Sequence, residues 1–250
     1  MTKRREQVLA LLGVERWSAN EMPRDGMPSP PDLPASLIPA AATPLVINAT
    51  TPFVIDSHWD GLRTQVRDCM QCKLCKTRTN TVFGVGNPAA SLMVVGEGPG
   101  ADEDASGEPF VGRAGKLLDE MLKAIGRSRL EALEGAGSAG VFIANVVKCR
   151  PPGNRDPEKD EVEACRSYLD AQIAHVKPKL IVALGRIAAQ RLLGTDEPLS
   201  RLRGPLHQYG PSQTPVFVTY HPAYLLRAPK EKAKSWEDLK KIAQHLKAHG

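Results

Sequence analysis

The sequence predicts an α/β protein whose parallel sheet is covered by helices on both faces. Four apolar, β-prone runs recur along the chain: Leu92–Gly96, Val141–Asn145, Leu180–Leu184 and Val216–Tyr220. Helix-like segments lie between and after them, at Arg113–Ile125, Glu158–His175, Arg186–Leu193 and, amphipathic, at Ser235–His249. Strand and helix in alternation is the pattern of parallel strands joined by helical crossovers.

At 250 residues the chain has room for one such domain and an appendage. Residues Thr2 to about Leu12 place Val8, Leu9, Leu11 and Leu12 behind basic Lys3, Arg4 and Arg5, with Gly13 set to end a helix. So short a helix is marginal alone, and basic residues at its start oppose the helix dipole. Residues 1–19 are therefore expected to fold against a partner. Residues 20–55, rich in Pro, Ala and Ser and without periodicity, read as a semi-extended linker. The globular domain, 56–250, opens with a helix over Trp59–Val66 and continues through a cysteine cluster to a short strand or turn at Thr81–Gly84. No run approaches the roughly twenty apolar residues that span a bilayer, and MTKRREQVLALL lacks a signal-peptide pattern, so a cytoplasmic protein is expected. The net charge of +5 suits a polyanionic partner, but many enzymes of neutral ligands share such values.

Chemistry concentrates at the strand ends. Leu92–Val95 stops abruptly at Gly96-Glu97-Gly98-Pro99-Gly100; an acidic stretch, Phe110 and then Gly112-Arg113-Ala114-Gly115 follow. A glycine-rich loop by itself equally describes an ordinary strand-to-helix turn. No Gly-Lys-Ser/Thr follows, and the dinucleotide fingerprint is met only in a loose form, with Pro99 where a helix should open. The other strands end at Asn145, Gly185 and His221-Pro222. Carboxyl ends of parallel strands lie on one sheet edge, so Glu97, Asn145 and His221 are expected to face one crevice. Taken singly they read as a surface charge, a turn former and a capped loop histidine.

Five cysteines, Cys69, Cys72, Cys75, Cys149 and Cys165, point to metal or redox chemistry before disulfides in a chain of this kind. Four thiolates suit either an iron-sulfur cubane or tetrahedral zinc. The CxxCxxC run also motivates a redox-sensor reading.

Three stretches, GEGPGADEDASGEPFVG, IANVVKCRPPGNRDPEKDEVEAC and HPAYLLR, resemble in order the motifs of the family 4 uracil-DNA glycosylases, the iron-sulfur branch of that superfamily. The similarity runs from about Cys69 to His249. It implies a three-layer α/β/α fold with a central four-stranded parallel sheet, and excision of uracil from DNA. It also implies a 4Fe-4S cluster held by an early CxxC pair and by two cysteines of the KCRPP segment, here Cys149 and Cys165. The spacing alone leaves two CxxC choices, and counting back from the family's Arg-Thr-x-x-Val-Phe-Gly element, which Arg78–Gly84 resembles, selects Cys69 and Cys72. Cys75 is then a spare thiol, a departure from the commoner pattern. The long loops closed by such a cluster suggest a structural and DNA-shaping role.

By the same resemblance Phe110 stacks on the flipped uracil and Asn145 reads its edge. Glu103 matches a position near the C5 edge that excludes the thymine methyl, and the amides of Gly98 and Gly100 complete the pocket. His221 donates to the uracil O2, while Glu97 positions water or offsets the positive sugar. Family 1 enzymes carry an aspartate where this chain has Gly98. Leu225 or Leu226 is expected to fill the space left by the flipped base, with Arg227 on a phosphate. Lys148, Arg150, Arg155, Arg201 and Arg203 are expected along the DNA track, a scattered solvated face being the alternative. No lysine stands as an obvious Schiff-base nucleophile, so a monofunctional enzyme is expected. A glycosylase fold that binds uracil-containing or single-stranded DNA without cutting it is the competing reading. The joint presence of Glu97, Phe110, Asn145 and His221 argues against it.

The opening KRREQVLALLGVERWS is similar to the N-terminal peptide of the psi subunit of bacterial DNA polymerase III, with Arg4-Arg5, Leu9, Leu12-Gly13 and Trp17 in similar places. That peptide docks on the chi subunit. The resemblance implies chi as a partner through residues 3–17, beside uracil-containing DNA, for a chain expected to act as a monomer and away from membranes.

Overall fold

The apolar runs form the strands that their composition calls for. In the computed structural model, which describes residues 54–130 and 140–249, β2 (Leu92–Gly96), β3 (Val141–Asn145) and β4 (Leu180–Leu184) match the expected runs residue for residue. The last parallel strand, β6, spans Thr214–Thr219, two residues earlier at its start than expected. All residues of β2, β3 and β4 are buried, as strands covered on both faces must be. The expected docking helix, and the linker up to residue 53, lie outside the described residues.

The sheet has six strands in the order β1-β3-β2-β4-β6-β5. Its middle four, β3, β2, β4 and β6, are parallel and in register. Two short antiparallel strands close the edges: β1 (Val85–Gly86) against β3, and β5 (Leu206–Tyr209) against β6. The four-stranded parallel core is thus extended to a mixed sheet. LHQY of β5 alternates exposed and half-buried residues at an edge, so no apolar run marks it.

Around the sheet lie α1 (Trp59–Arg67), α2 (Ala101–Ser106), α3 (Arg113–Ala124), α4 (Lys159–Ala164), α5 (Arg166–Val176), α6 (Arg186–Leu193), α7 (Leu199–Leu202), α8 (Pro222–Arg227) and α9 (Lys232–His249). The single helix expected over Glu158–His175 is two helices meeting at Cys165, whose Sγ accepts the Lys148 N–H at 3.4 Å. The acidic stretch folds as α2, where Asp102, Glu103 and Asp104 sit at the positive end of the helix dipole.

Alternation along the strands splits the core in two. Met93, Val95, Phe142, Ala144, Ile181 and Ala183 pack with residues of α1, α5 and α6. Leu92, Val94, Val141, Ile143, Leu180 and Val182 pack with residues of α3, α8 and α9. Among the described residues no helix is long and apolar enough to cross a membrane.

The last helix is tied to the sheet by a buried carboxylate. Asp238 Oδ2 accepts from Thr219 Oγ1 at 2.7 Å and from Arg203 Nε at 2.8 Å. Arg203, expected along the DNA track, is therefore an internal tie, its side chain only 20% exposed. Removing the carboxylate leaves a half-buried guanidinium without its partner, so Asp238→Ala is expected to cost about 3 kcal/mol of stability, read from the midpoint of urea unfolding.

Candidate active site

Parallel register brings the strand ends level. Gly96 pairs with Asn145, and the ladder runs on past the strands, with Val146 N–H on Gly96 O at 2.9 Å and Val147 N–H on Glu97 O at 3.1 Å. Glu97 after β2, Asn145 at the end of β3, His221 after β6 and Phe110 from the α2–α3 loop line one cavity of about 400 Å³. Gly98, Gly100, Glu103, Asp156, Tyr224 and Arg227 share it.

Phe110 is buried with φ at 56°, a left-handed conformation unfavourable for an aromatic residue. Two contacts hold it there. A Cβ at Gly115 would lie 1.7 Å from the Phe110 carbonyl oxygen, so only glycine lets α3 start against this loop. The Glu103 carboxylate accepts the N–H groups of Gly100 (3.0 Å), Val111 (3.0 Å) and Gly112 (3.2 Å), clasping both ends of the loop. Glu103 does line the cavity, but three amides engage its carboxylate.

Asn145 is 1% exposed, and neither Nδ2 nor Oδ1 of its amide has a hydrogen-bond partner. A Cβ on Gly96 would come within 2.4 Å of Asn145 Oδ1 and 2.6 Å of Phe110 Cζ. The absence of a side chain at Gly96 is what lets the amide and the ring meet. Sequence reading noticed Gly96 only as a strand end.

His221 starts α8, with Pro222 in the first helical turn, and its Nδ1 accepts the Ala223 N–H at 3.2 Å. That bond leaves the neutral ring's proton on Nε2. Desolvation, and then the Arg227 cation, push its pKa down to about 4, so the ring is neutral at ordinary pH. It lies nearly parallel to Phe110, with ring centroids 5.5 Å apart. Glu97 moves the other way: desolvation, then the neighbouring Asp156 carboxylate, raise it to about 7 against the pull of Arg186. Arg186 Nη2 holds Asp156 Oδ2 at 2.6 Å. Sequence reading singled out neither Asp156 nor Arg186, which are 30 residues apart and belong to no common motif.

Other expectations change. Leu225 is 1% exposed and packs in the core with Leu239 and Ile242, so it cannot fill a gap in DNA. Leu226 stands exposed beside Tyr224 and Arg227. Lys148 is also 1% exposed and lies off any DNA track; Arg155 is gripped by both oxygens of buried Glu161, at 2.8 and 2.7 Å. Arg150 and Arg201 remain on the surface side, bonded to Asn154 and paired with Glu197.

All five cysteines, Cys75 included, line a second, nearly closed space with Arg78, Lys148 and Tyr168. Arg78 Nη1 donates to Cys149 Sγ at 3.1 Å, and the Gln71 N–H to Cys69 Sγ at 3.4 Å. Burial pushes Cys165 up to about 12 and raises Cys149 and Cys72. Among the described residues no three of these groups close on a single ion. Zinc requires four sulfurs at about 2.3 Å from one point, whereas a cubane attaches each thiolate to a different iron. Thiols gathered around one space are the donor set that either centre would draw on.

The sequence pattern of the uracil DNA glycosylase superfamily matches residues 83–245. The type-4 uracil-DNA glycosylase of Archaeoglobus fulgidus is 43% identical over 192 residues, which is 74% of this chain and 92% of that protein. The chain belongs to this family. The type-4 uracil-DNA glycosylase of Sulfurisphaera tokodaii is 45% identical over 74% of this chain and 83% of its own length. That of Thermotoga maritima is 41% identical over 74% and 93% respectively.

Glu97 links the site to stability. Its folded value of about 7 lies above the ordinary 4.5, so the folded state binds the proton more tightly. The stability this provides is complete below the unfolded value and is lost as pH rises through the folded one. Glu97→Gln is accordingly expected to raise Tm by a few degrees at about pH 8 and to leave it unchanged at about pH 4, read by thermal unfolding at the two pH values.

Proposed function

We propose that the chain releases uracil from DNA by hydrolysing the N-glycosidic bond, the step that opens base excision repair. The observation that carries this reading is the buried Asn145 amide with both polar atoms unpartnered. An amide offers an acceptor and a donor side by side. With Oδ1 facing the uracil N3–H and Nδ2 facing O4, both atoms are satisfied at once. Cytosine, with an acceptor at N3 and a donor at N4, satisfies neither in that orientation.

The target base must first leave the stack. Leu226 enters the space it vacates and Arg227 meets a phosphate, while the Phe110 ring receives the base. Breaking the C1′–N1 bond sends its electron pair into the uracil and leaves a positive sugar. Water then bonds to C1′, and the proton it loses passes through solvent to the uracil anion, which leaves as neutral uracil. His221 donates from Nε2 to O2, where the negative charge gathers. Glu97 as carboxylate holds the water and offsets the sugar, and the amides of Gly98 and Gly100 close the pocket.

Cys69, Cys72, Cys149 and Cys165 would hold a 4Fe-4S cluster, with Cys75 as a fifth thiol beside it. The cluster would supply a cross-link between the segment before β1 and the segment after β3, and takes no part in the hydrolysis. Residues 3–17 would dock on the chi subunit of DNA polymerase III, an apolar and aromatic segment of this length being suited to a partner's groove and to raising the local concentration near replicated DNA. Purified chi is expected to retain the full chain in a pull-down and to lose it on Trp17→Ala; equal failure of both removes the partner.

The activity is tested by release of free uracil from a uracil-containing single-stranded oligonucleotide. Asn145→Ala and His221→Ala are each expected to slow release by about 10²-fold or more, and thymine is expected to stay in place. Tight DNA binding without any uracil release would instead favour a non-catalytic binding protein.

A further inference from the structure

Between the two sites lies a lysine that neither uses. Lys148 is 1% exposed, and its Nζ donates to the Asn145 carbonyl at 2.6 Å and to Gln172 Oε1 at 2.7 Å. Gln172 passes the connection on, its Nε2 donating to Phe83 O at 2.8 Å. The Lys148 N–H reaches Cys165 Sγ, and Cys149 is its neighbour in the chain. One residue therefore touches the end of the strand that bears the amide and the segment that bears the thiols.

The position of this ammonium calls for an explanation. A fully buried ammonium is costly unless its hydrogen bonds are made and its charge is offset. Here the hydrogen bonds are made to two oxygens, the Asn145 carbonyl and the Gln172 amide. The Asn145 carbonyl belongs to the last residue of β3, and the side chain of the same residue has no partner within the fold to steady it. A charge-assisted bond to that carbonyl is strong enough to hold the strand end.

We propose that Lys148 is a positioning residue for base recognition: by fixing the Asn145 carbonyl it aims the Asn145 amide, and it ties that aim to the cysteine-lined segment. The proposal rests on Asn145 reading the base, as argued above. Lys148 touches neither substrate nor reacting atoms, so it acts only through Asn145. A displacement of about 1 Å at such a group is enough to cost one or two powers of ten in rate.

The test is a double-mutant cycle on uracil release by the full-length protein, with Tm and bound iron measured on every variant. Lys148→Met removes the ammonium at nearly constant volume, and Asn145→Ala removes the group it aims. The proposal expects Lys148→Met to lower kcat/KM by about tenfold or more in the parent, and to change it by less than about twofold in the Asn145→Ala background. Gln172→Met serves as the structural control: it breaks the same buried network but leaves the Lys148–Asn145 bond, so it is expected to lower Tm with little change in kcat/KM. Where Lys148→Met fails to fold, Lys148→Arg replaces it in the same cycle and is expected to show the same non-additivity. An equal loss from the Lys148 change in both backgrounds, or a rate loss in Gln172→Met proportional to its lower Tm, would overturn the proposal. Asn145→Ala without any rate loss would instead sink the recognition reading itself.

Discussion

A primary amide buried with neither polar atom bonded costs about 1–3 kcal/mol for each unsatisfied group. At Asn145 the fold bears that cost at the point where the carboxyl ends of its parallel strands meet. Much of the neighbouring structure can be read as keeping the amide open and aimed. Gly96 leaves the space above it clear, Gly115 lets α3 begin hard against Phe110, and Glu103 locks the loop that turns Phe110 inward at positive φ. Unmet hydrogen bonds and a left-handed aromatic residue, side by side, are the usual mark of a site organised for something it has yet to bind.

Electrostatics follow from the same crevice. Desolvation is the leading cause at both titratable groups, and it acts oppositely on them because one is a base and the other an acid: His221 falls to about 4 while Glu97 rises to about 7. Both therefore favour their neutral forms in moderately acidic solution. Above neutrality the pair becomes a neutral donor facing a carboxylate. That separation suits a reaction in which one partner gathers negative charge and the other turns positive.

The parallel core was legible because buried strands leave unbroken apolar runs, which is why β2, β3 and β4 fall where Leu92, Val141 and Leu180 begin them. Glu97, Asn145 and His221 were legible as a group because parallel strands share one carboxyl edge. Packing decided the rest. Leu225 and Leu226 are indistinguishable as letters, and only the contacts of α8 turn the first inward. Lys148 reads as a surface cation because it sits between Val147 and Cys149 beside Arg150, yet its strand end carries it into the interior. Asp156 and Arg186 come from segments joined only by the fold, and the helix boundary at Cys165 falls where the Lys148 N–H meets its thiol. The edge strand β5 left no apolar run, since one of its faces is exposed and the other only half-buried.

A crystal structure of the protein with free uracil bound would test the central claim most directly. The base is expected to stack on Phe110, with N3–H and O4 on the Asn145 amide and O2 within hydrogen-bond reach of His221 Nε2. Uracil bound elsewhere, or bound in this cavity with the Asn145 amide still unpartnered, would contradict it.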